Sequence, residues 1–302
     1  MHIGIDLGGT KIEAAVLDPT GNFLFRQRTP TPQGDYPATL QAIKLLVSQA
    51  ESALAETADG VGIGHPGSAN PLDGCIRNAN STCLNGQTLQ ADLQTLLARA
   101  VKLANDADCL ALSEATDGAA KESASVFGVI LGTGVGGGWV INGRLLHGPN
   151  GLAGEWGHNP LPIAHRDELP GPLCYCGKRG CTEAWLSGPG LVSDYQRQTA
   201  DPFLQDVPAL VNAAAQGNHN AQQALDRHTH RLARALAMII NAFDPAAIVL
   251  GGGVSQRPGL IADLLTALPA HIFLPTGTAL QTKLLLPAFG DSSGVRGAAR
   301  LF

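Results

Sequence analysis

Residues 2–17 read HIGIDLGGTKIEAAVL, in which two apolar runs flank a glycine-containing turn. The runs at 2–7 and 12–17 are typical of β-strands, and a third strand is predicted at 23–28 after the turn-forming segment 19–22. Because only short turns separate the three runs, the chain is expected to begin with three antiparallel strands.

The first turn has the composition of an anion-binding loop. Gly8 and Gly9 let backbone N–H groups approach a phosphate, and Thr10 and Lys11 add further donors. Asp6, at the end of the first strand, is placed to bind Mg²⁺ through water. An ordinary glycine hairpin is the alternative for this loop alone, and its spacing differs from that of a Walker loop.

The rest of the chain repeats the opening order. In the first half, helices and strands are predicted to alternate at 36–56, 60–64, 89–99, 101–104 and 108–120. In the second half, strands are predicted at 125–131, 138–141, 143–146, 246–250 and 280–286, with helices at 189–199 and 221–243. The β-β-β-α-β-α order therefore occurs twice, which predicts an α/β protein of two similar domains around a cleft. We expect the domains to span 1–120 and 121–291, with a final helix at 292–302 packing on the first.

Two further glycine loops follow predicted strands. The segment 132–138 contains Gly-x-Gly-x-x-Gly, but the β-like residues 139–143 follow it where a dinucleotide-binding fold needs a helix. A phosphate-cradling turn between strands fits this segment better. Residues 251–253 form the third loop, for which a crowded strand-to-helix turn is the alternative. Three glycine loops at corresponding strand ends of a duplicated fold together predict a nucleotide site.

One short region holds four soft metal ligands and two carboxylates. His158, Cys174, Cys176 and Cys181 form a Cys₃His set, which closes the tetrahedral coordination of a structural zinc and leaves no position for an attacking water. We therefore expect an architectural zinc in a knuckle at 158–181. A disulfide framework is the alternative, but it needs an oxidising compartment, and the N-terminal residues have neither the basic nor the apolar region of a signal peptide.

The composition is that of a globular chain. Its 302 residues suffice for two cores, its net charge of −5 gives no basic footprint for nucleic acid, and no apolar run approaches the ~20 residues of a membrane span. We therefore expect a cytoplasmic protein with no nucleic-acid or membrane partner. Three isolated cysteines are predicted to be ordinary thiols, namely Cys75, Cys83 and Cys109.

Taken together and in this order, the motifs resemble those of the ROK family of sugar kinases and repressors over essentially the whole chain. The segments that carry the resemblance are 6–11, 105–106, 132–136, 155–158, 174–183 and 244–253. Within the family, residues 78–86 and 155–162 resemble the bacterial fructokinase branch, also described as manno(fructo)kinase.

The resemblance implies a duplicated actin-like, ribonuclease-H-like ATPase fold, ATP with Mg²⁺, a bound zinc and commonly a homodimer. It also implies phosphorylation of a hexose, and the fructokinase branch makes D-fructose, converted to fructose 6-phosphate, the expected substrate. N-acetylglucosamine, glucose and mannose are the alternatives within the family. ROK repressors carry a DNA-binding helix-turn-helix before the first strand, and here that strand begins at residue 2, so a sugar-sensing regulator is the less expected function.

The resemblance also gives each candidate residue a role. Asp106 is the predicted general base, with capping of the following helix as its structural alternative. His158 is expected to hold zinc through one ring nitrogen and the sugar through the other. The predicted sugar-binding residues are Asn80, Asn105, Asp106, Glu155, His158 and Glu183, and Asn80 alternatively satisfies turn backbone. The predicted ATP-binding residues are Gly4, Asp6, Gly8, Gly9, Thr10, Lys11, Thr133, Gly134, Gly136, Gly137, Gly251, Gly252 and Gly253. Asp291 is interpreted first as a cap of the last helix and second as a metal contact.

Overall fold

Seven strands and three helices make up the first part of the chain in a computed structural model, which describes residues 1–275 and 277–302. In chain order they are β1 (His2–Leu7), β2 (Lys11–Leu17), β3 (Phe23–Pro30), α1 (Tyr36–Leu54), β4 (Gly60–His65), β5 (Ser68–Ala69), β6 (Ile76–Arg77), α2 (Leu89–Leu97), β7 (Ala100–Asn105) and α3 (Asp106–Thr116).

The second part is richer in helix. Its elements are β8 (Ser125–Leu131), β9 (Val135–Ile141), β10 (Arg144–Leu145), α4 (Thr182–Leu186), α5 (Gly188–Thr199), α6 (Val207–Ala215), α7 (His219–Phe243), β11 (Ala247–Gly251), α8 (Leu260–Ala267), β12 (Lys283–Leu285) and α9 (Ser293–Ala299). Single 3₁₀ turns lie between several of them, including Trp156–His158 and Arg166–Glu168.

The two large sheets have the same topology. The first has the order β3-β2-β1-β4-β7 and the second the order β10-β9-β8-β11-β12. In the first sheet the central strand β1 pairs in parallel with β4, and in the second sheet the central strand β8 pairs in parallel with β11. The carboxyl ends of these paired strands therefore lie side by side in each sheet, which is where α/β folds place ligands.

The chain divides into two compact units. The first contains residues 1–122, 138–154 and 287–302, and the second contains 123–137 and 155–286. The segment 138–154 thus belongs to the first unit, although the sequence analysis placed it in the second domain. Gly138 gives the physical reason, because a Cβ there would lie 2.5 Å from the carbonyl oxygen of Ala107, so only glycine lets this backbone approach the start of α3.

The helix α9 packs on the first sheet through glycines. A Cβ at Gly4 or Gly62 would overlap backbone atoms of α9, and one at Gly297 would overlap the backbone of Cys109 in α3. The missing side chains therefore allow helix and strand backbones to meet closely. Behind this sheet lies a continuous apolar core that includes Ile3, Ile5, Ile12, Ile43, Leu46, Val61, Ile63 and Leu93.

In the second unit, α7 is anchored by buried charges as well as by apolar side chains. Glu168 is 5% exposed and accepts hydrogen bonds from Arg231 at 2.8 Å and from Arg234 at 2.6 Å. Burial opposes ionisation of Glu168, but the two arginines outweigh it and lower its pKa to about 2. The pairing fixes the 3₁₀ turn Arg166–Glu168, within the predicted knuckle at 158–181, against α7.

Several predicted elements differ from the observed ones. The sequence analysis missed α4, α6 and α8, although Asp206 followed by Pro208 is a standard helix start and Asp206 does cap α6. The predicted last helix at 292–302 is shorter, ending at Ala299, and the helix predicted from 108 begins at Asp106. Asn105 explains the earlier start, because its side chain accepts the Ala107 N–H and caps α3.

Within the described ranges, no helix is both long and apolar enough to cross a bilayer.

Candidate active site

In the second unit, two of the predicted glycine loops lie next to each other. The loop 132–134 follows β8 and the loop 252–253 follows β11, and these strands run parallel with Gly251 opposite Ile130. Gly252 has φ +87°, and a Cβ there would overlap the carbonyl oxygen of Leu131. The conformation and the close approach both require glycine at this position.

These loops line a cavity of about 670 Å³. The amino-terminal residues of α5 complete the wall at its base, where the Gly188 N–H donates to the Gly132 carbonyl at 2.8 Å. The cavity is lined by Gly132, Thr133, Gly188, Pro189, Val192, Ser193, Gln196, Gln205, Asp206, Val207, Pro208, Gly253 and Val254. Of the predicted nucleotide residues, Thr133 and Gly253 therefore face a space large enough for a nucleoside.

Other glycines of the second loop serve the knuckle. A Cβ at Gly134 would lie 2.6 Å from Oε2 of Glu183, and the Gly136 carbonyl accepts the indole N–H of Trp156 at 2.9 Å. A Cβ at Gly157 would overlap the carbonyl oxygen of Val135. Gly134 and Gly136, predicted to bind ATP, thus dock residues 155–158 and Glu183 against β9.

Glu183 joins the glycine loop to the cysteines. Its Oε2 accepts the Val135 N–H at 2.9 Å, and its Oε1 lies 3.8 Å from Sγ of Cys174. It belongs to the first turn of α4, directly after Cys181. The structure therefore gives this predicted sugar ligand at least one firm structural bond, which the sequence analysis did not anticipate.

The four predicted metal ligands converge. The ligand atoms of His158, Cys174, Cys176 and Cys181 all lie within 4.8 Å of one another. Nδ1 of His158 is 3.6 Å from Sγ of Cys174, and the sulfurs of Cys176 and Cys181 are 3.6 Å apart. Ligands in a tetrahedral zinc site with Zn–S bonds of about 2.3 Å are separated by about 3.7 Å, so the donor set and its spacing both fit that ion.

The thiols of this cluster have unequal surroundings. Burial raises the pKa of Cys181 to about 12, and it also raises the pKa of Cys174. For the exposed Cys176, desolvation is the largest single effect and opposes ionisation, but the hydrogen bonds from the Lys178 N–H and the neighbouring thiols together lower its pKa. A bound cation favours the thiolate form that burial disfavours, which is how a metal would hold this segment together.

Tyr175 is the contact that the sequence analysis missed. Its hydroxyl lies 3.1 Å from Nε2 of His158, and the two rings meet edge to face with centroids 5.2 Å apart. Partial burial and then the carboxylates of Glu183 and Glu155 raise the pKa of this hydroxyl above its usual value. The nitrogen of His158 that was expected to face a sugar is thus bonded to a phenol in this structure. The sequence signal that could have indicated this contact is the position of Tyr175 between two candidate metal-ligating cysteines.

In the first unit, the predicted base lies at a helix start. Asp106 is the first residue of α3, and its Oδ1 accepts the Ala107 N–H at 2.8 Å. Asn105 is the cap itself and also donates from Nδ2 to the Gly67 carbonyl at 2.8 Å. Asn105, and not Asp106, is therefore the N-cap of α3. The Asp106 carboxylate lies in the first turn, at the positive end of the helix dipole.

Asp6 lies close to Asp106. Burial, followed by the negative charges of Asp106 and Glu13, raises the pKa of Asp6 to about 7, against the weaker opposing influence of Lys11 and Arg28. A divalent cation bound between two nearby carboxylates would offset the repulsion between their negative charges and favour ionisation of both. The donor chemistry therefore fits Mg²⁺ at this place.

The first glycine loop is held from two sides. The Gly8 N–H donates to the Lys11 carbonyl at 3.0 Å, and Thr31 Oγ1 donates to the Gly8 carbonyl at 2.7 Å. Asp291 accepts hydrogen bonds from Lys11 at 3.4 Å and from Arg28 at 2.8 Å, which lower its pKa. Asp291 therefore pairs with Arg28 of β3 and with Lys11 at the start of β2, and the α9 cap position belongs to Ser292 instead.

Two predicted site residues lie elsewhere than expected. Gly4, predicted to bind ATP, is inside β1 and faces α9, so its missing side chain serves helix packing. Asn80 is exposed, and the turn beside it is held by Asn85, whose side chain accepts the Ala79 N–H at 2.9 Å and donates to the Ala79 carbonyl at 3.0 Å. Asn85 therefore supplies the side-chain hydrogen bonds of this turn, and sugar binding by Asn80 stays a prediction.

With this geometry described, comparison with known proteins decides the family, since the ROK family model matches residues 2–302. The chain belongs to the ROK family. It is 39% identical over 307 residues to the N-acetyl-D-glucosamine kinase of Yersinia pseudotuberculosis, covering 100% of this chain and 98% of that relative. It is 38% identical over 305 residues to the N-acetyl-D-glucosamine kinase of Escherichia coli, covering 100% and 99%.

Solved structures of the family share the fold. The ROK hexokinase from Thermus thermophilus superposes with a TM-score of 0.86 at 32% identity, covering 98% of this chain and 96% of that one. A ROK glucokinase from Streptomyces griseus, solved with glucose and AMPPNP, gives a TM-score of 0.81 at 28% identity, covering 99% and 98%. The predicted duplicated actin-like ATPase fold is confirmed.

Proposed function

We propose that this ROK-family protein is an ATP-dependent sugar kinase that transfers the γ-phosphoryl group to the 6-hydroxyl of N-acetylglucosamine. The observation that carries the substrate is the full-length identity of 38–39% to N-acetyl-D-glucosamine kinases. The prediction of fructose, based on residues 78–86 and 155–162, has no support among these relatives. N-acetylglucosamine, an alternative in the sequence analysis, takes its place.

Asp106 is the proposed general base. Phosphoryl transfer needs an aligned acceptor hydroxyl, a group that takes its proton, and neutralisation of charge on the transferred group. The Asp106 carboxylate accepts the Ala107 N–H and lies at the start of α3, where the helix dipole stabilises negative charge. An ionised carboxylate is ready to accept the proton of the acceptor hydroxyl.

Glycine loops in each unit are proposed as nucleotide-binding elements. The cavity beside Thr133 and Gly253 has room for the nucleoside, and the Gly8–Lys11 loop offers backbone and side-chain donors for phosphate oxygens. Asp6, beside Asp106, is the residue that would hold Mg²⁺, directly or through water. Mg²⁺ would supply neutralisation of the phosphate charge.

The knuckle is proposed to hold the sugar-binding side chains of the protein in place. His158, Cys174, Cys176 and Cys181 would bind zinc, which supplies rigidity and no reactive position. The segment from Glu155 to His158 is docked on β9 by Trp156, so the Glu155 and His158 side chains start from a fixed backbone. Glu155, Glu183, Asn105 and Asp106 are each proposed as sugar ligands, and His158, whose Nε2 lies 3.1 Å from the Tyr175 hydroxyl, is proposed as a zinc ligand. The homodimer implied by the family stays a prediction, which sedimentation of the purified protein measures.

Glucose is the second candidate acceptor. It is favoured by the likeness to the glucokinase solved with glucose, at lower identity than to the N-acetylglucosamine kinases. Both sugars present a 6-hydroxyl to the same base, so the distinction between them does not alter the role proposed for Asp106.

Turnover with ATP and N-acetylglucosamine, followed by ADP release, tests the proposal together with one variant. Asp106→Asn removes the base while preserving shape, so we expect kcat to fall by about 10²–10⁴ with sugar affinity nearly unchanged. Asp108→Asn, two residues further along the same helix turn, is the matched control and should stay near wild type. Sugar binding without ADP release by the wild type would contradict a kinase and favour a sugar-sensing regulator.

A further inference from the structure

Tyr175 occupies the ring nitrogen of His158 that the metal cluster leaves available. Nδ1 of His158 faces Cys174 at 3.6 Å, so Nε2 is the nitrogen on the outer side of the ring. The Tyr175 hydroxyl lies 3.1 Å from that nitrogen. The phenol is 67% exposed, so it lies at the surface of the knuckle and is accessible to a ligand.

The direction of this hydrogen bond follows from the tautomer. If Nδ1 ligates a metal it carries no proton, and the neutral imidazole then carries its proton on Nε2. In that tautomer Nε2–H would donate to the Tyr175 oxygen, and the phenolic O–H would then be available to donate to a ligand. The Tyr175 O–H would thus replace the His158 Nε2–H as the hydrogen-bond donor that a ligand meets.

The surroundings of Tyr175 are rich in acceptors. The negative charges of Glu183 and Glu155 both act on the pKa of its hydroxyl, and an ionised carboxylate accepts hydrogen bonds and donates none. A sugar can satisfy these carboxylates with its own hydroxyl protons, but its oxygen atoms also need donors. In this group of residues the phenolic O–H, backed by the histidine, supplies such a donor.

We propose that Tyr175 is a sugar-binding residue whose hydroxyl, oriented by His158, donates a hydrogen bond to a hydroxyl or carbonyl oxygen of the sugar. This inference rests on the proposed function, since it assigns a further ligand to the same acceptor site. The contact is made in the ground state as well as in the transition state. Loss of the hydroxyl should therefore weaken sugar binding more than it slows the phosphoryl transfer step.

Tyr175→Phe tests this inference because it keeps the ring and removes only the hydroxyl. Calorimetric titration with N-acetylglucosamine should show a Kd raised roughly five- to tenfold, as expected for one lost hydrogen bond, with kcat within about twofold of wild type. Zinc content, measured by elemental analysis, should be unchanged. Tyr36→Phe is the matched control, because it removes a hydroxyl bonded to Asp92 in the first unit.

The outcomes separate this inference from the proposed function. An unchanged Kd in Tyr175→Phe beside normal binding by the wild type would overturn the inference alone. A lowered Kd would also overturn it, since Tyr175 would then only cover His158. Loss of zinc together with affinity would show a structural role instead. Absence of sugar binding and turnover in the wild type would overturn both the proposed function and this inference.

Discussion

At the scale of single residues, Asp6 shows how the fold prepares a charged site. Its carboxylate, at the end of β1, is partly buried and lies close to Asp106 and Glu13, which together raise its pKa to about 7. The folded protein therefore binds a proton at Asp6 that the unfolded chain releases near pH 4. Between those values the stability contributed by this group falls as the pH rises.

Replacement of Asp6 by asparagine should remove the loss of stability that ionisation of Asp6 causes at high pH. We expect Asp6→Asn to be more stable than wild type by on the order of 2 kcal/mol at about pH 8 without divalent cations, with the difference shrinking at about pH 5. Urea unfolding at both pH values measures it. Asp291→Asn is the control. Arg28 stabilises the Asp291 carboxylate, so this variant should be slightly less stable than wild type. A pH-independent difference would refute the argument.

Some residue roles were accessible from the sequence and others were not. The convergence of the four candidate zinc ligands could be predicted because zinc requires particular ligand atoms at close spacing. Tyr175 and the bond from Val135 to Glu183 could not, since both depend on where a side chain lies after the knuckle has turned. The packing of Gly4 against α9 was not predicted for a similar reason, because a glycine near a phosphate loop and a glycine under a helix look alike in sequence.

At the scale of elements, the docking of α9 depends on glycines in the first sheet. Gly62 in β4 lies under α9, and a Cβ there would overlap the carbonyl oxygen of Ala298. Backbone cannot yield as a flexible side chain does, so the helix or the strand must shift. Together with the contact at Gly4, this contact ties the last helix to β1, which leads to Asp6, and to β4, which ends at His65.

Gly62→Ala should lower the free energy of unfolding by about 1–3 kcal/mol because of this overlap. Gly148→Ala is the matched control, since a Cβ there would make only ordinary contact, 3.8 Å from the Ala153 nitrogen. Thermal and urea denaturation of the three proteins measure the effect. Equal stability of Gly62→Ala and wild type would show that the strand and helix have room that the structure does not show.

The knuckle is the second element whose role can be measured. Cys176→Ser removes one of four ligands, so we expect bound zinc to fall from about one per chain to near zero and the Kd for N-acetylglucosamine to rise by more than about tenfold. Cys75→Ser, outside the knuckle, is the control. Elemental analysis and calorimetry give the two quantities. Retained sugar affinity in the zinc-free variant would mean that the knuckle only staples the fold.

At the scale of the whole molecule, the duplicated sheet order was predictable and the substrate was not. The strands 2–7 and 125–131 begin equivalent β-β-β-α-β-α series, and both sheets have the corresponding strand order. Apolar periodicity and glycine loops carry this information directly. Discrimination between hexoses depends on hydroxyl placement at a finer scale than residue spacing, which is why residues 78–86 indicated fructose while the relatives indicate N-acetylglucosamine.

The most direct test of the central claim is a specificity profile of the purified protein with ATP, in which kcat/KM is measured side by side for N-acetylglucosamine, glucose, mannose and fructose. We predict the highest value for N-acetylglucosamine, with glucose next and fructose last. A higher kcat/KM for fructose than for N-acetylglucosamine would contradict the substrate assignment, and ATP turnover that no sugar stimulates would contradict the assignment as a sugar kinase.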